Sequence, residues 1–289
     1  YTDEHAHFLF QDQAGFIWGT NHEYLPSTDG NRNTLWRLDA DLQKEIMIPP
    51  TEDPTAFSGV NFVITPGGEV IFSWADQLYR RRLTGPAEVW LDHTFGLINS
   101  LQLDEAGNLY VIDTETEQGT LYRVSPAREL TVVATQLRQP APDHPPYERE
   151  DHNRLYAAWI AGDGTVFVTD IGHRRLIRLA PDGSRSFPFH SEAPWYPVAY
   201  AEQAGTGYVL EVGYDPGRGH VGPRVVRLTD NGASVWVDVE RDEVKERGTM
   251  MPPPAPSAPT SWPGWWWVVG LVAAGGVGFW LVQRRLVAR

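Results

Sequence analysis

Oxygen-bearing side chains recur at two positions of a repeated sequence pattern, and their types suit a hard metal ion. Asparagine or aspartate stands at Asn61, Asn99, Asp113 and Asp170, before or after short apolar runs that are separated by glycine turns. Carboxylate and amide oxygens are the ligands that Ca²⁺ prefers in proteins. Asn99, Asp113 and Asp170 are therefore a candidate Ca²⁺ site. The alternative is that both aspartates cap turns by accepting hydrogen bonds from their own backbone.

The asparagines belong to a position that is counted back from each turn. Seven or eight residues before each turn glycine, or its equivalent, four of five residues are polar or amphipathic: His7, Asn61, Asn99, Tyr156 and, as the exception, Val198. We expect His7, Asn61, Asn99 and Tyr156 to lie at one mouth of a central channel, where a ligand could bind.

His5-Ala6-His7 is a second candidate for metal chemistry. Side chains alternate along a strand, so both imidazoles would share one face, and such a pair can begin a Cu or Zn site. The chain has no cysteine, which excludes thiolate metal sites, disulfides and a cysteine nucleophile. It also lacks GxSxG, HExxH and P-loop stretches. We therefore assign no catalytic residue.

A unit that occurs five times must position these residues. Each unit contains an apolar run, a turn, an alternating strand, two apolar residues followed by arginine, and a final β-rich run. The five arginines are Arg37, Arg80, Arg123, Arg178 and Arg227. Four short strands in roughly 40–50 residues are typical of a propeller blade. The sequence therefore predicts an all-β propeller over residues 1–246 with five or six blades. The alternative is a β-sandwich.

The repeated arginines have a structural interpretation. Each points away from its apolar neighbours along the strand, and we expect it to form a salt bridge with an acidic residue of the next blade.

Composition narrows the class of partner. The chain has 289 residues, 42% of them hydrophobic, and a net charge of −13. Such a composition supports a packed core. Nucleic acid is not expected as a partner, because phosphate binding needs basic patches.

The last part of the chain has the composition of a membrane anchor. Residues 265–282 carry no charge and would span roughly 27 Å as a helix, close to the thickness of a bilayer core. Aromatic and basic residues mark its ends: Trp265, Trp266, Trp267, Trp280, Arg284 and Arg285. We predict a transmembrane helix at 265–283 and a short cytoplasmic tail at 284–289. A buried core helix is the alternative.

A cytoplasmic C-terminal tail places the propeller on the other side of the membrane, in the periplasm or outside the cell. It implies an export signal ahead of Tyr1, because the first residues of the chain show no signal-type apolar segment. Residues 247–264 are rich in proline and serine and are predicted to form a stiff extended linker.

Three segments are candidates for contacts with other proteins. Gly270, Ala274 and Gly278 recur every four residues, a spacing that allows two membrane helices to approach closely. The connection 138–153, which contains Tyr147, and the pair Trp195-Tyr196 are candidate docking loops. The expected partners are the membrane and either other subunits of a membrane complex or a second copy of the chain.

Two stretches carry a family resemblance. GLINSLQLDEAGNLYVIDTETEQGTLYRV (96–124) and GDGTVFVTDIGHRRLIRLAPDGS (162–184) resemble blades of NHL-type propellers and of the gluconolactonase/senescence-marker superfamily. QDQAGFIWGT (11–20) resembles the repeat of bacterial sensor propellers. The lactonase resemblance implies a divalent metal held by Glu, Asn and Asp, with Asn99 and Asp170 at matching positions. Ile98 and Ser100 replace the family's Pro and Gly around that Asn, and the nearest glutamate is Glu23.

The sequence therefore predicts a membrane-anchored binding or scaffold propeller, an accessory subunit of a larger membrane complex. A metal-dependent lactonase or esterase and a ligand-sensing propeller are the alternatives. Bound Ca²⁺ would distinguish the scaffold propeller from the lactonase, because only the lactonase needs it.

Overall fold

The computed structural model describes residues 6–12, 14–25, 30–39, 41, 43–140 and 154–239. These residues form five antiparallel sheets of four strands each, and neighbours in sequence are neighbours in every sheet. The architecture is that of a five-bladed β-propeller, which confirms the fold predicted from the repeat.

The strands of each blade follow one another along the chain. Blades 1 and 2 contain β1 Ala6–Gln11, β2 Ile17–Leu25, β3 Gly30–Leu38 and β4 Lys44–Thr51, then β5 Phe62–Ile64, β6 Glu69–Trp74, β7 Gln77–Arg82 and β8 Glu88–Val89. Blade 3 contains β9 Ile98–Leu103, β10 Leu109–Asp113, β11 Thr120–Val124 and β12 Leu130–Ala134. Blades 4 and 5 contain β13 Leu155–Ile160, β14 Val166–Asp170, β15 Arg175–Leu179 and β16 Arg185–His190, then β17 Trp195–Gln203, β18 Thr206–Asp215, β19 Gly219–Thr229 and β20 Gly232–Asp238.

The first strands of consecutive blades contact one another, so they form the inner part of the propeller. β1 contacts β5, β5 contacts β9, β9 contacts β13, and β13 contacts β17. We call the face at which these strands begin, and at which the second strands end, the upper face. The opposite face, which carries the turns between first and second strands, is the lower face.

The hydrophobic core lies between neighbouring blades. In β10, Tyr110 and Ile112 belong to a cluster shared with blade 4, whereas Leu109 and Val111 belong to a cluster shared with blade 2. Successive side chains of a strand point to opposite faces. β10 is buried at every position, so this second strand is covered on both sides, as the stacking of blades requires.

Among the described residues, two of the five repeated arginines form ion pairs and both do so within a blade, so our prediction of bridges to the next blade is wrong. Arg37 pairs with Glu45 at 2.6 Å, and Arg80 pairs with Glu88. Each glutamate lies on the fourth strand, directly opposite its arginine on the third. The antiparallel register brings these residues together, eight positions apart in sequence.

Within the described ranges, no helix is long and apolar enough to cross a bilayer. The linker 247–264, the predicted span 265–283 and the tail 284–289 lie outside those ranges, together with Gly270, Ala274, Gly278, Trp265, Trp266, Trp267, Trp280, Arg284 and Arg285.

Candidate functional site

The two asparagines predicted at the channel mouth join consecutive blades. Asn61 donates its amide N–H to the carbonyl of Ile98 at 3.0 Å, and Asn99 donates to the carbonyl of Leu155 at 2.7 Å. Ile98 directly precedes Asn99, and Leu155 directly precedes Tyr156. Each side chain therefore bonds to the carbonyl just before the equivalent residue of the next blade. We call these two contacts the inter-blade bonds.

Asp113 is fully buried at the upper end of β10 and accepts hydrogen bonds from the surrounding backbone. Its carboxylate accepts the N–H groups of Gly96 at 2.7 Å and Leu97 at 2.9 Å, and the Thr116 hydroxyl at 2.6 Å. Burial raises the pKa of this carboxyl. The hydrogen bonds from Thr116 and the backbone outweigh that effect, so the pKa lies below its ordinary value. Asp113 therefore holds the segment that precedes β9 against the segment that follows β10.

Asp170 occupies the same position in blade 4 but has charged partners. It accepts the Nε–H of Arg175 at 2.9 Å and contacts His173 Nδ1 at 2.8 Å, with all three side chains almost completely buried. Arg175 also donates from Nη2 to the carbonyls of Leu137 and Gln139, at 3.1 and 2.8 Å. The Asp170–Arg175 pair therefore ties blade 4 to the segment that leaves blade 3.

The candidate metal ligands consequently have protein partners. Among the described residues, no three His, Asp or Glu side chains come together in a way that could hold a metal ion. Asp113 and Asp170 each hold local structure, and Asn99 uses its amide N–H between blades. These contacts favour the turn-capping alternative for the two aspartates, and Ca²⁺ stays a prediction. His7 lies in β1 with its side chain outside the described part of the chain, as His5 is altogether.

The remaining candidate residues differ in how far their side chains are exposed to a partner. Tyr196 is fully buried, so the structure corrects its assignment as a docking residue. Trp195 is half-buried, and the Arg224 guanidinium stacks over its ring at 4.1 Å. Tyr156 is partly buried beside the apolar residues of blades 4 and 5, and this burial raises the pKa of its phenol. Tyr147 and most of the connection 138–153 lie outside the described residues.

The sequence interpretation missed two features of the upper face. Glu211 is fully buried and accepts the Nε–H of Arg224 at 2.6 Å, and its Oε1 has no hydrogen-bond partner. A glutamate inside an otherwise apolar second strand, YVLEV, was the available signal. Trp74 and Leu97 are large apolar residues that remain 39% and 38% exposed on this face.

Trp74 and Leu97 lie in adjacent blades and their surroundings are connected. Trp74 ends β6, and Leu97 directly precedes β9. The backbone N–H of Phe95 donates to the carbonyl of Asp76 at 2.8 Å, which joins the segment before Leu97 to the turn after Trp74. We call Trp74 and Leu97 the upper apolar patch.

Fold and site together define a β-propeller, and comparison with known proteins supports that class. No family model and no curated protein sequence matches the chain. Among solved structures, it is similar to virginiamycin B lyase from Staphylococcus aureus, with a TM-score of 0.53 and 14% identity over 80% of this chain and 84% of that one. It is also similar to a protein of unknown function from Bacteroides caccae, with a TM-score of 0.51 and 13% identity over 82% of each chain. At such low identity the similarity shows the fold alone.

Proposed function

We propose that this chain is a membrane-anchored binding propeller outside the cytoplasm, which acts as an accessory subunit of a larger membrane complex. The anchor is the uncharged stretch 265–283, flanked by tryptophans on one side and arginines on the other. The proline-rich segment 247–264 links it to the propeller.

One observation carries the choice of binding over metal-dependent hydrolysis. The Asn99 amide lies 2.7 Å from the Leu155 carbonyl and serves the blade boundary. Asp170, the other residue that matches the lactonase pattern, is engaged by Arg175 and His173. Of the two residues that a lactonase would use on its metal, Asp170 is therefore engaged by structural contacts, and Asn99 has its NH2 group held at the blade boundary, with only its Oδ1 left for a metal.

The upper apolar patch is the surface that we assign to the partner. Exposed apolar residues are typical of interaction sites when they form a contiguous patch, and the hydrogen bond from Phe95 to Asp76 joins the two segments that carry Trp74 and Leu97. The last described strand also runs toward this side, because β20 starts opposite Thr229 at the lower end of β19 and ends with Asp238 opposite Arg224 in the middle of β19. An anchored propeller would therefore turn this side toward the membrane subunits.

Mild-detergent extraction from native membranes tests the proposal. The extract is separated by size-exclusion chromatography, and mass spectrometry identifies the proteins that elute with the chain. We expect stoichiometric membrane subunits in the same fraction. Elution alone, with bound Ca²⁺ and activity on lactones, would replace the proposal by the lactonase alternative.

A further inference from the structure

A cleft of about 400 Å³ opens on the lower face between blades 4 and 5. Trp159 and Phe167 line it from blade 4, together with Asp163 and Arg178, and Glu202 lines it from blade 5. The volume falls within the range of roughly 300–1,000 Å³ that is typical of small-molecule sites. None of the candidate residues of the upper face takes part.

One wall of the cleft is formed by the rings of Trp159 and Phe167, and both rings contact Tyr200 of blade 5, which does not line the cleft itself. The rings of Phe167 and Tyr200 stack with their centroids 4.3 Å apart, and Trp159 meets Tyr200 edge-on at 5.5 Å. Phe167 and Tyr200 come from different blades, so the packing of the blades holds the wall in place. Trp159 is half-buried and lines the open side. This wall offers a fixed surface to a flat apolar group.

Arg178 is the repeated arginine of blade 4, and it lacks the partner that blades 1 and 2 supply. Arg37 and Arg80 each face a glutamate on the fourth strand. The residue directly opposite Arg178 is Ser186, which brings no charge. Within the described ranges the Arg178 guanidinium makes no hydrogen bond or ion pair, although the side chain is half-buried.

The remaining arginines of the repeat show that this arrangement is particular to blade 4. Arg123 and Arg227 face Thr131 and Ser234, which also carry no charge. Both of these arginines are exposed, whereas Arg178 is half-buried at the cleft. Water can form hydrogen bonds with the exposed guanidinium groups of Arg123 and Arg227. Arg178 interacts with Asp163 and Asp182 only through longer-range charge–charge attraction, so its N–H groups can still bind a carboxylate through two parallel hydrogen bonds.

Carboxylates line the same cleft. Glu202 accepts the Tyr200 hydroxyl at 3.3 Å, and Asp163 caps the turn between β13 and β14 through the N–H of Thr165 at 2.8 Å. Asp163 is exposed and Glu202 is half-buried. A ligand that carried only negative charge would meet these two groups as well as Arg178. Charge complementarity therefore favours a ligand with charges of both signs.

We propose that this cleft binds a free α-amino acid with an aromatic side chain. The ligand carboxylate pairs with Arg178, its ammonium group faces Glu202 and Asp163, and its ring packs on Trp159. This site goes beyond the proposed function, because it lies on the face opposite the upper apolar patch and requires no membrane partner.

Isothermal titration of the full chain in detergent with L-phenylalanine tests the site. Phenylacetate, which lacks the ammonium group, and phenethylamine, which lacks the carboxylate, serve as ligand controls. We expect L-phenylalanine to bind and both controls to bind about tenfold more weakly or worse. If phenylacetate bound as tightly as L-phenylalanine, the proposed recognition of the ammonium group would be wrong. If L-phenylalanine did not bind at millimolar concentration, the proposed site would be wrong.

Three variants locate the binding. Arg178→Gln should weaken L-phenylalanine binding by about tenfold to a hundredfold, whereas Arg227→Gln, its counterpart in blade 5, should leave it unchanged. Ser186→Glu supplies the partner found in blades 1 and 2 and should block binding while Arg178 is still present. Unchanged affinity in either Arg178→Gln or Ser186→Glu would overturn the proposal. Co-elution with membrane subunits should be the same in all three variants, so this site and the proposed function can fail separately.

Discussion

Asn99 and Leu155 are 56 positions apart in the chain and meet at the boundary of blades 3 and 4, where the Asn99 amide donates to the Leu155 carbonyl at 2.7 Å. The hydroxyl of Thr114 donates to the same carbonyl at 3.2 Å. Asn61 repeats the contact one blade earlier, with Ile98 as acceptor. An asparagine at this position of the repeat therefore connects blade 2 to blade 3 and blade 3 to blade 4.

Substitution of Asn99 separates this structural role from a metal site. Asn99→Ala should lower the free energy of unfolding by about 1 kcal/mol, or roughly 2–4 °C in Tm, because Leu155 loses a donor. Asn99→Asp should destabilise more, since it places a carboxylate against a carbonyl. Calorimetry with and without Ca²⁺ measures both. If Ca²⁺ raised the Tm of Asn99→Asp above that of the unsubstituted chain, the residue would be a metal ligand.

Asp113 should make stability depend on pH in the acid range. Its pKa in the folded chain lies below the ordinary value of 3.8, so its contribution is complete above that value and disappears as the pH falls through the folded value. In Asp113→Asn this part of the acid dependence should be absent. Urea unfolding across the acid range measures it, with Glu105→Gln on an exposed turn as the control. Parallel profiles for Asp113→Asn and the unsubstituted chain would contradict this role.

The buried pair of Asp170 and Arg175 should be costly to break. Arg175→Met leaves the Asp170 carboxylate without its guanidinium partner and removes two donors from the carbonyls of the preceding segment. We expect a loss of about 3–5 kcal/mol. The double variant Asp170→Asn with Arg175→Met should recover part of it, because no uncompensated charge remains. A double-mutant cycle in urea with additive effects would show that the two groups are not coupled.

Gly19 is required by the packing of blade 1. A Cβ at this position would overlap the indole of Trp36, which lies directly opposite on β3 and donates from Nε1 to Asn21 at 2.7 Å. We expect Gly19→Ala to cost about 1–3 kcal/mol through overpacking. Gly162→Ala is the matched control, since nothing lies within 4 Å of its Cβ. Thermal unfolding should show a lower Tm for Gly19→Ala only.

The propeller could be predicted because its signal is local. Each strand is marked by alternation or by a short apolar run, and each turn by glycine, so a single blade can be recognised without knowledge of its neighbours. The position of Asn61 and Asn99 at the start of the inner strands follows from the same count. Their acceptors do not, because Ile98 and Leu155 belong to other blades at separations of 37 and 56 residues.

The partners of the repeated arginines could have been found with the correct register. Glu45 and Glu88 stand eight residues after Arg37 and Arg80, as expected across a short hairpin, and Ser186 stands eight residues after Arg178. That comparison predicts that Arg178, like Arg123 and Arg227, lacks a glutamate partner on the fourth strand. It does not predict the cleft beside Arg178, which depends on how blades 4 and 5 pack. The burial of Tyr196 likewise depends on its packing against blade 4.

Co-elution of a variant in the upper apolar patch tests the central claim most directly. The full chain carrying Trp74→Ala and Leu97→Ser is extracted beside the unsubstituted chain and a control, Val132→Ala, whose side chain is 53% exposed on the outer strand of blade 3. We predict that the control elutes with stoichiometric membrane subunits and that the patch variant, folded and still in the membrane, loses them. Full co-elution of the patch variant would contradict the docking surface, and elution of the unsubstituted chain alone would contradict the accessory-subunit function itself.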